Sequence, residues 1–137
     1  MVLPERIDAG LLGWLRSVRV PVVIVIHANH PNELDTSVAT ALGLLRGEGV
    51  TLLNQSVLLK GVNDDPDTLA ALSERLFALG VLPYYLHQLD RVEGAAHFEV
   101  TDAAARQLHN ELRERLPGYL VPRLVREVEG APSKLPL

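Results

Sequence analysis

The chain has 137 residues, of which 47% are hydrophobic and 22% are charged. These values are typical of one globular domain and exclude a disordered tail or a coiled coil. The net charge of −4 argues against a nucleic-acid partner, because such surfaces need clustered Lys and Arg. Since the sequence contains no cysteine, it excludes disulfides, thiol nucleophiles and a cysteine-ligated iron–sulfur cluster built from this sequence alone.

No apolar run in the sequence is long enough to span a bilayer. The first residues, MVLPERIDAG, lack the basic region and the apolar stretch of a secretory signal. We therefore expect a cytoplasmic protein without a membrane partner.

Helices and strands are predicted to alternate along the chain. A first helix is expected over residues 9–18. Three apolar runs then follow at residues 20–26, 50–59 and 81–89, beginning about 30 residues apart as in βαβ units. Their near-continuous apolarity predicts strands that are buried on both faces.

Helices are predicted between these strands. Five apolar residues recur at helical spacing after the first strand: Leu34, Val38, Ala41, Leu42 and Leu45. In the second helix, Asp65 is the expected N-cap, Pro66 the first helical residue and Gly80 the residue after the end. A last helix is expected over residues 102–116, capped by Thr101 or Asp102.

The remaining C-terminal residues are predicted to form a short strand, at 119–128, and a proline-containing tail. The predicted fold class is therefore α/β, with a parallel βαβαβ core, an additional C-terminal helix and a tail. No linker divides the chain, so residues 1–137 are expected to form a single domain.

Polar side chains cluster where the predicted strands end, and ligands bind at this end of parallel sheets. His27 and His30 follow the first strand and are interpreted either as loop-ordering caps or as ligands. A shared metal site is not favoured, because Pro31 biases His30 away from a helix. The adjacent amides of Asn54 and Gln55 point to opposite faces of the second strand, so at most one of them can face a site.

Two further polar groups are candidates near the ends of predicted elements. Asp90 follows the third strand and either caps a turn or presents a carboxylate. Lys60 and Lys134 are the only lysines, and Lys60 at a strand end is typical of a solvated rim charge. Lys134 lies between Pro132 and Pro136, which stiffen the tail, and a desolvated lysine amine is the usual partner of a carbonyl cofactor.

Four motifs, in this order and spacing, resemble one known family. They are HANHPNE at 27–33, LLNQSVLLKGVNDD at 52–65, PYYLHQLDRVEGAAHFEV at 83–100 and GYLVPRLVREVEGAPSKLPL at 118–137. The sequence resembles the C-terminal half of the lysine 2,3-aminomutases, radical S-adenosylmethionine enzymes that also carry pyridoxal phosphate. Its GAPSK ending looks like the branch that supplies β-lysine for modification of elongation factor P. The resemblance implies an isomerase that moves the amino group of L-lysine from the α to the β carbon.

The resemblance also implies roles for individual residues. Lys134 matches the lysine that binds pyridoxal 5'-phosphate, and it is the implied catalytic residue. Asp90 and Glu127 match the carboxylates that hold the distal amine of the lysine substrate. His27 and Gln55 match positions in the S-adenosylmethionine pocket. No metal ligand is implied within this sequence.

The sequence departs from the family in lacking the CxxxCxxC loop that holds a [4Fe–4S] cluster, and the arginine-rich first half. A full barrel of this kind has at least about 200 residues. We therefore expect a partial, half TIM-type barrel, the C-terminal portion of a radical S-adenosylmethionine barrel, whose residues 118–137 form the tail that carries the cofactor lysine. A missing N-terminal half, or self-association into a homo-oligomer, would complete it.

Two other interpretations remain open. One is a catalytically inactive truncated half-barrel, or a self-associating binding module, that lacks the iron–sulfur cluster. The other is a small α/β module whose His-rich rim holds a metal or an anion.

Overall fold

The computed structural model describes residues 2–89, 98–127 and 131–137. Its helices and strands are α1 Ala9–Ser17, β1 Val23–Ile26, α2 Thr36–Gly47, β2 Thr51–Leu58, α3 Pro66–Ala78, β3 Val81–Gln88, α4 Asp102–Arg115, β4 Arg123–Arg126 and β5 Leu135–Pro136. Short 3-10 turns occupy Pro4–Arg6, Pro31–Glu33 and Gly118–Leu120. Across these described ranges, no helix is both long enough and apolar enough to cross a bilayer.

The five strands form one sheet in the order β1-β2-β3-β4-β5. Neighbouring strands from β1 to β4 are parallel, and β5 pairs antiparallel with β4. The α/β class and the parallel βαβαβ core predicted from the sequence are confirmed. Because sequential parallel strands are neighbours, the carboxyl ends of β1 to β4 meet at one edge of the sheet.

The helices cover one face of this sheet, the helix face. Burial along β2 alternates from residue to residue, with Leu52, Asn54, Ser56 and Leu58 buried. Leu52 packs in one cluster with α2 and α3, and Leu58 packs in a second cluster with α3 and α4. These two clusters form the core.

The opposite face is the open face, which carries Val23, Val25, Gln55, Val57 and His87. The expectation of strands buried on both faces is wrong for the described residues, since Val23 is 54% exposed and Val25 is 38% exposed. Near-continuous apolarity indicates the environment that a strand prefers, and it does not show that a second layer covers it.

Element boundaries follow local chemistry. Asp65 caps α3 as predicted, with its Oδ1 accepting a hydrogen bond from the amide of Thr68 at 2.8 Å. Gly80 has a φ of 78° in the turn after α3, a left-handed conformation that favours glycine. The first strand begins at Val23, later than predicted, because Pro21 has no N–H to donate to a strand ladder.

The C-terminal region differs from its prediction in two respects. The strand expected over residues 119–128 is shorter, because a 3-10 turn precedes Arg123–Arg126. The expected tail contains an additional strand, Leu135–Pro136, which joins the edge of the sheet.

Candidate functional site

A cavity of about 320 Å³ opens at the carboxyl ends of the parallel strands. Its lining comes from strand ends and from the segment before β5: His27, Gln55, Val57, His87, Gln88, Leu89, Glu127 and Lys134. This position is the one at which parallel α/β folds bind ligands.

Four of the five residues predicted to form a site line this cavity: His27, Gln55, Glu127 and Lys134. They are far apart in the sequence, and the order of strands in the sheet brings them together. The fifth, Asp90, lies outside the described residues. The grouping gives one place where an amine, a carboxylate, an imidazole and an amide can act on one ligand.

Lys134 is held at the cavity by the pairing of β5 with β4. Leu135 is opposite Arg126, and the amide of Leu137 donates to the carbonyl of Leu124 at 3.0 Å. The Lys134 Nζ atom lies 5.4 Å from the centroid of the Tyr85 ring, a cation–π distance. The tail is therefore fixed by backbone pairing in addition to its two prolines.

An amide network fixes the loop that carries His27. Asn54 exchanges two hydrogen bonds with the backbone of Ala28, the residue after His27. The Asn29 side chain accepts a hydrogen bond from the amide of Val57 at 2.9 Å, and the Nδ2 of Asn63 donates to the carbonyl of Asn29 at 2.8 Å. The start of the loop is thereby tied to β2 and to the turn after it, which sets the position of His27.

His30 acts as a cap in the same loop. Its Nδ1 accepts a hydrogen bond from the amide of Asn32 at 3.1 Å, and the carboxylate of Glu33 accepts from the amides of Asn29 and His30. Of the two interpretations of His30, the structure supports the loop-ordering cap. Within the described part of the chain, no three His, Cys, Asp or Glu residues are grouped so as to hold a metal ion.

The two adjacent amides of β2 separate as predicted. Asn54 is buried on the helix face and bonded to Ala28, whereas Gln55 is on the open face and lines the cavity. Asn54 is therefore a structural amide, and Gln55 is the one that can contact a ligand.

His87 also lines the cavity, and it is one of the polar residues at the end of the third strand for which the resemblance implies no role. Burial lowers its pKa below the ordinary value of 6.5, the nearby charges of Lys134 and His27 lower it further, and Glu127 opposes them. Its Nε2 atom is buried and has no hydrogen-bond partner among the described residues. The register of the strands places His87 on the open face, because it lies two residues after Tyr85 on β3 and directly opposite Val57 of β2.

The sequence shows strong similarity to part of one group of enzymes. It is 53% identical over 137 residues to L-lysine 2,3-aminomutase of Escherichia coli (strain K12), and 51% identical over 134 residues to that of Haemophilus influenzae. The chain is related to the L-lysine 2,3-aminomutases. The resemblance inferred from its motifs is confirmed. The enzyme of Clostridium subterminale is 38% identical over 137 residues.

The alignments cover this chain almost completely and its relatives only in part. They include 100% and 98% of this chain, and 40% of the length of the Escherichia coli and Haemophilus influenzae proteins. No protein-family profile matches the sequence. Similarity to these enzymes therefore applies to a segment of them.

A solved structure supports the fold. A radical SAM methyltransferase from Sphaerobacter thermophilus superposes with a TM-score of 0.55 over 84% of this chain and 38% of its own chain. The two sequences are 17% identical, so the similarity concerns the fold alone. It supports an α/β fold of the radical SAM type for the described sheet.

Proposed function

We propose that this chain is the cofactor-lysine and substrate-binding portion of a lysine 2,3-aminomutase-type isomerase, which moves the amino group of L-lysine from the α to the β carbon. The observation that carries the proposal is the placement of Lys134. Strand β5 holds this amine at a cavity that Glu127, His27 and Gln55 also line. The similarity to L-lysine 2,3-aminomutases supports the same reaction.

Lys134 would hold pyridoxal phosphate covalently. Its Nζ atom is fixed near Tyr85 and lines a cavity of about 320 Å³, within the size range of small-molecule sites. His87 adds a buried nitrogen that lacks a partner among the described residues, as expected where a polar ligand binds. When bound, this cofactor supplies a π-system that retains the migrating nitrogen and accepts the unpaired electron. The residues present therefore fit the group.

Glu127 would bind the distal ammonium group of lysine. It follows β4 directly and presents an exposed carboxylate to the cavity. By the resemblance, Asp90 supplies a second carboxylate. Two carboxylates around one ammonium group select lysine over shorter or neutral amino acids through charge-assisted hydrogen bonds.

His27 and Gln55 would contact S-adenosylmethionine. Both are at the open face near the carboxyl ends of adjacent strands, β1 and β2, and both line the cavity. The reductive step also requires a [4Fe–4S] cluster. Since the sequence contains no cysteine, the thiolate ligands of that cluster must come from a different polypeptide segment.

The proposal includes the architecture around this site. Residues 1–137 would be one domain, a half TIM-type barrel that forms the C-terminal portion of a radical S-adenosylmethionine barrel, in which 118–137 form the tail that carries the cofactor lysine. The GAPSK sequence at 130–134 favours the branch that makes β-lysine for elongation factor P. We further propose a cytoplasmic location and, as partners, the missing N-terminal half-barrel or further copies of the chain.

The second candidate is a catalytically inactive half-barrel that associates with itself. The absence of cysteine from the sequence and the exposure of Val23 on the open face favour it for the isolated chain. It differs from the first candidate in requiring no cofactor at Lys134.

Covalent trapping distinguishes the two candidates. The chain is incubated with pyridoxal phosphate, reduced with borohydride and mapped by peptide mass spectrometry. The first candidate requires the label at Lys134, with Lys60 as an internal control because the sequence has only these two lysines. A Lys134→Arg variant should lose the label and a Lys60→Arg variant should keep it. A label confined to Lys60 would contradict the proposed cofactor lysine, and a lack of label at both would favour the inactive candidate.

A further inference from the structure

His87 lies on the open face, on the middle strand of the five and near the carboxyl end of that strand. On β3 it lies opposite Val57 of β2 and Val125 of β4, both apolar neighbours. It lines the same cavity as Lys134 and Glu127. An imidazole in this position shares one chamber with the cofactor lysine of the proposed function.

The Tyr85 ring connects His87 to Lys134. Its centroid is 5.6 Å from that of the His87 ring in an edge-on arrangement, and 5.4 Å from the Lys134 Nζ atom. Both groups also line the same cavity, so a small ligand held there by one of them can contact the other. His87 is thus in the cavity that would hold a carbonyl group captured by Lys134.

The buried Nε2 atom of His87 has hydrogen-bonding capacity that the described residues do not use. Buried polar atoms are nearly always paired, and exceptions concentrate at catalytic and binding sites. The neighbouring Gln88 donates its Nε2 hydrogens to the carbonyl of Val100 and to Asp102, and its buried Oε1 atom is an acceptor that also has no partner among the described residues. His87 therefore brings to the cavity a buried ring nitrogen that can accept or donate a proton.

The charges that face His87 keep its ring neutral near neutral pH. Burial has the largest effect and lowers the pKa of His87. Lys134 from the tail and His27 from the end of β1 lower it further, and Glu127 from the end of β4 raises it without reversing the net decrease. Tyr85 on its own strand contributes a ring and no charge at neutral pH. A neutral imidazole can accept a proton and return it within one reaction.

We propose that His87 is a catalytic acid–base residue for the capture of an aldehyde by Lys134. The inference rests on the proposed function in taking Lys134 as the capturing amine. The ammonium group of Lys134 first loses a proton to solvent. The resulting amine attacks the aldehyde carbon, so that a C–N bond forms, the C=O π bond breaks and the carbonyl oxygen gains a proton from solvent. His87 accepts the proton that the nitrogen releases and donates it to the hydroxyl group, which leaves as water. The products are a protonated imine, whose charge corresponds to the proton taken from solvent, and one water molecule, and His87 returns to its neutral form.

The test measures rate and extent separately, because a proton-transfer residue changes the rate of capture and not its equilibrium. The full chain is mixed with pyridoxal phosphate, quenched with borohydride at increasing times, and the label is quantified at Lys134 and Lys60. In His87→Phe and His87→Gln, we expect the initial rate at Lys134 to fall at least about tenfold, since acid–base groups typically contribute 10² or more. The final extent at Lys134 and the rate at Lys60 should not change.

Two controls sharpen this result. His109→Gln alters a half-buried histidine that contacts the carbonyl of Pro122, away from the cavity, and should leave both lysines unaffected. A pH series should show the wild-type rate at Lys134 falling towards that of the variants as His87 becomes protonated. His87→Gln retains a hydrogen-bonding side chain, so it provides the measurement if His87→Phe fails to fold.

The outcomes separate the inference from the proposed function. Fast, selective labelling of Lys134 that does not change in His87→Phe would overturn the inference and leave the proposed function intact. A fall in the final extent together with the rate, in a folded variant, would assign His87 a positioning role and overturn the proton-transfer role. Equal rates at Lys134 and Lys60 in the unmodified chain would overturn both.

Discussion

Asn54 and Ala28 are joined by a pair of hydrogen bonds that closes a ring between β2 and the loop after β1. The amide of Ala28 donates to Asn54 Oδ1 at 2.9 Å, and Asn54 Nδ2 donates to the carbonyl of Ala28 at 3.1 Å. Both residues are almost fully buried. A side chain thus replaces the backbone ladder where β1 ends, and this fixes the neighbouring His27 at the cavity.

Asn54→Ala should destabilise the chain by about 2–4 kcal/mol, because two buried peptide groups of Ala28 would lose their partners at about 1–3 kcal/mol each. Urea unfolding monitored by circular dichroism measures this change. Asn110→Ala, an exposed substitution within α4, is the matched control and should cost nothing. Equal stability of the two variants would contradict the structural role of Asn54.

Asp65 should make the stability of the chain depend on pH in the acid range. Hydrogen bonds from Thr68 lower the pKa of Asp65 below the ordinary value of 3.8. Because the folded pKa is depressed, this stabilisation is present above the unfolded value and is lost as the pH falls through the folded value. Asp65→Ala should cost about 1 kcal/mol at neutral pH, the usual cost of losing an N-cap, and the difference from wild type should shrink below about pH 4.

Asp65→Asn is the control for charge in this measurement. Asparagine caps helices as well as aspartate, so this variant should be nearly as stable as wild type at neutral pH. It should lack the Asp65 contribution to the acid-range slope, because it has no carboxyl group to protonate. An unchanged slope in Asp65→Asn would show that the Thr68 hydrogen bonds do not lower this pKa.

The titration of His87 should respond in opposite directions to two substitutions. Burial and the charge of Lys134 lower the pKa of His87, whereas Glu127 raises it. Lys134→Met should therefore raise the NMR titration midpoint of His87, and Glu127→Gln should lower it. The His109 midpoint serves as the control. Shifts of the same sign in both variants would show that these charges do not face His87.

The same depressed pKa gives a second pH dependence. Between the folded value and the unfolded value of 6.5, the unfolded chain binds a proton at His87 that the folded chain does not. Stability should consequently fall as the pH is lowered through this window, and His87→Phe should remove that part of the fall. The sign is opposite to that of a histidine stabilised by an acidic partner.

Local chemistry made much of the fold predictable. Asp65, Pro66 and Gly80 specify the start and end of α3 through a side-chain cap, a fixed φ and a left-handed turn, all of which depend on neighbouring residues. The parallel core followed from the spacing of three apolar runs. The α/β class therefore required no long-range information.

Features that depend on distant contacts were not predictable in the same way. Leu135–Pro136 is too short to show strand periodicity, and it forms because β4 offers a free edge. The exposure of the open face depends on whether another layer packs on the sheet, and the composition of a strand does not indicate this. The position of His87 at a strand end was recognisable from the sequence, but its place beside Val57 and in one cavity with Lys134 depends on the register and on the tail.

The purified chain alone should form no β-lysine. Radical initiation in the proposed reaction needs a [4Fe–4S] cluster held by thiolates, and the sequence contains no cysteine. The assay is anaerobic incubation with L-lysine, S-adenosylmethionine, pyridoxal phosphate and a reductant after iron–sulfur reconstitution, followed by mass spectrometry. As a positive control, the assay is repeated after a polypeptide that carries the CxxxCxxC segment is added, and β-lysine is then expected. β-Lysine from the chain alone would refute the requirement for cysteine ligands.

The open face should drive self-association. Val23 is 54% exposed, Val25 is 38% exposed and Leu82 on β3 is 39% exposed, and within the described ranges β1 pairs on one side only. An unpaired strand edge beside an uncovered apolar face is a template for another chain. At about 25 cal/mol per Å², covering a few hundred Å² contributes several kcal/mol, comparable with the stability of a small domain.

Val25→Lys should weaken this association, because a lysine on an edge strand opposes pairing and carries charge onto the apolar face. Sedimentation velocity over a dilution series would show assembly of the wild-type chain and a shift towards monomer in Val25→Lys. Val62→Lys is the matched control, since Val62 is also 38% exposed but lies in the turn after β2. A wild-type chain that remains monodisperse and unfolds cooperatively as a monomer at low micromolar concentration would show that the open face is tolerated in water. The sheet and its helices would then be stable as a single copy, and the open face would not require self-association.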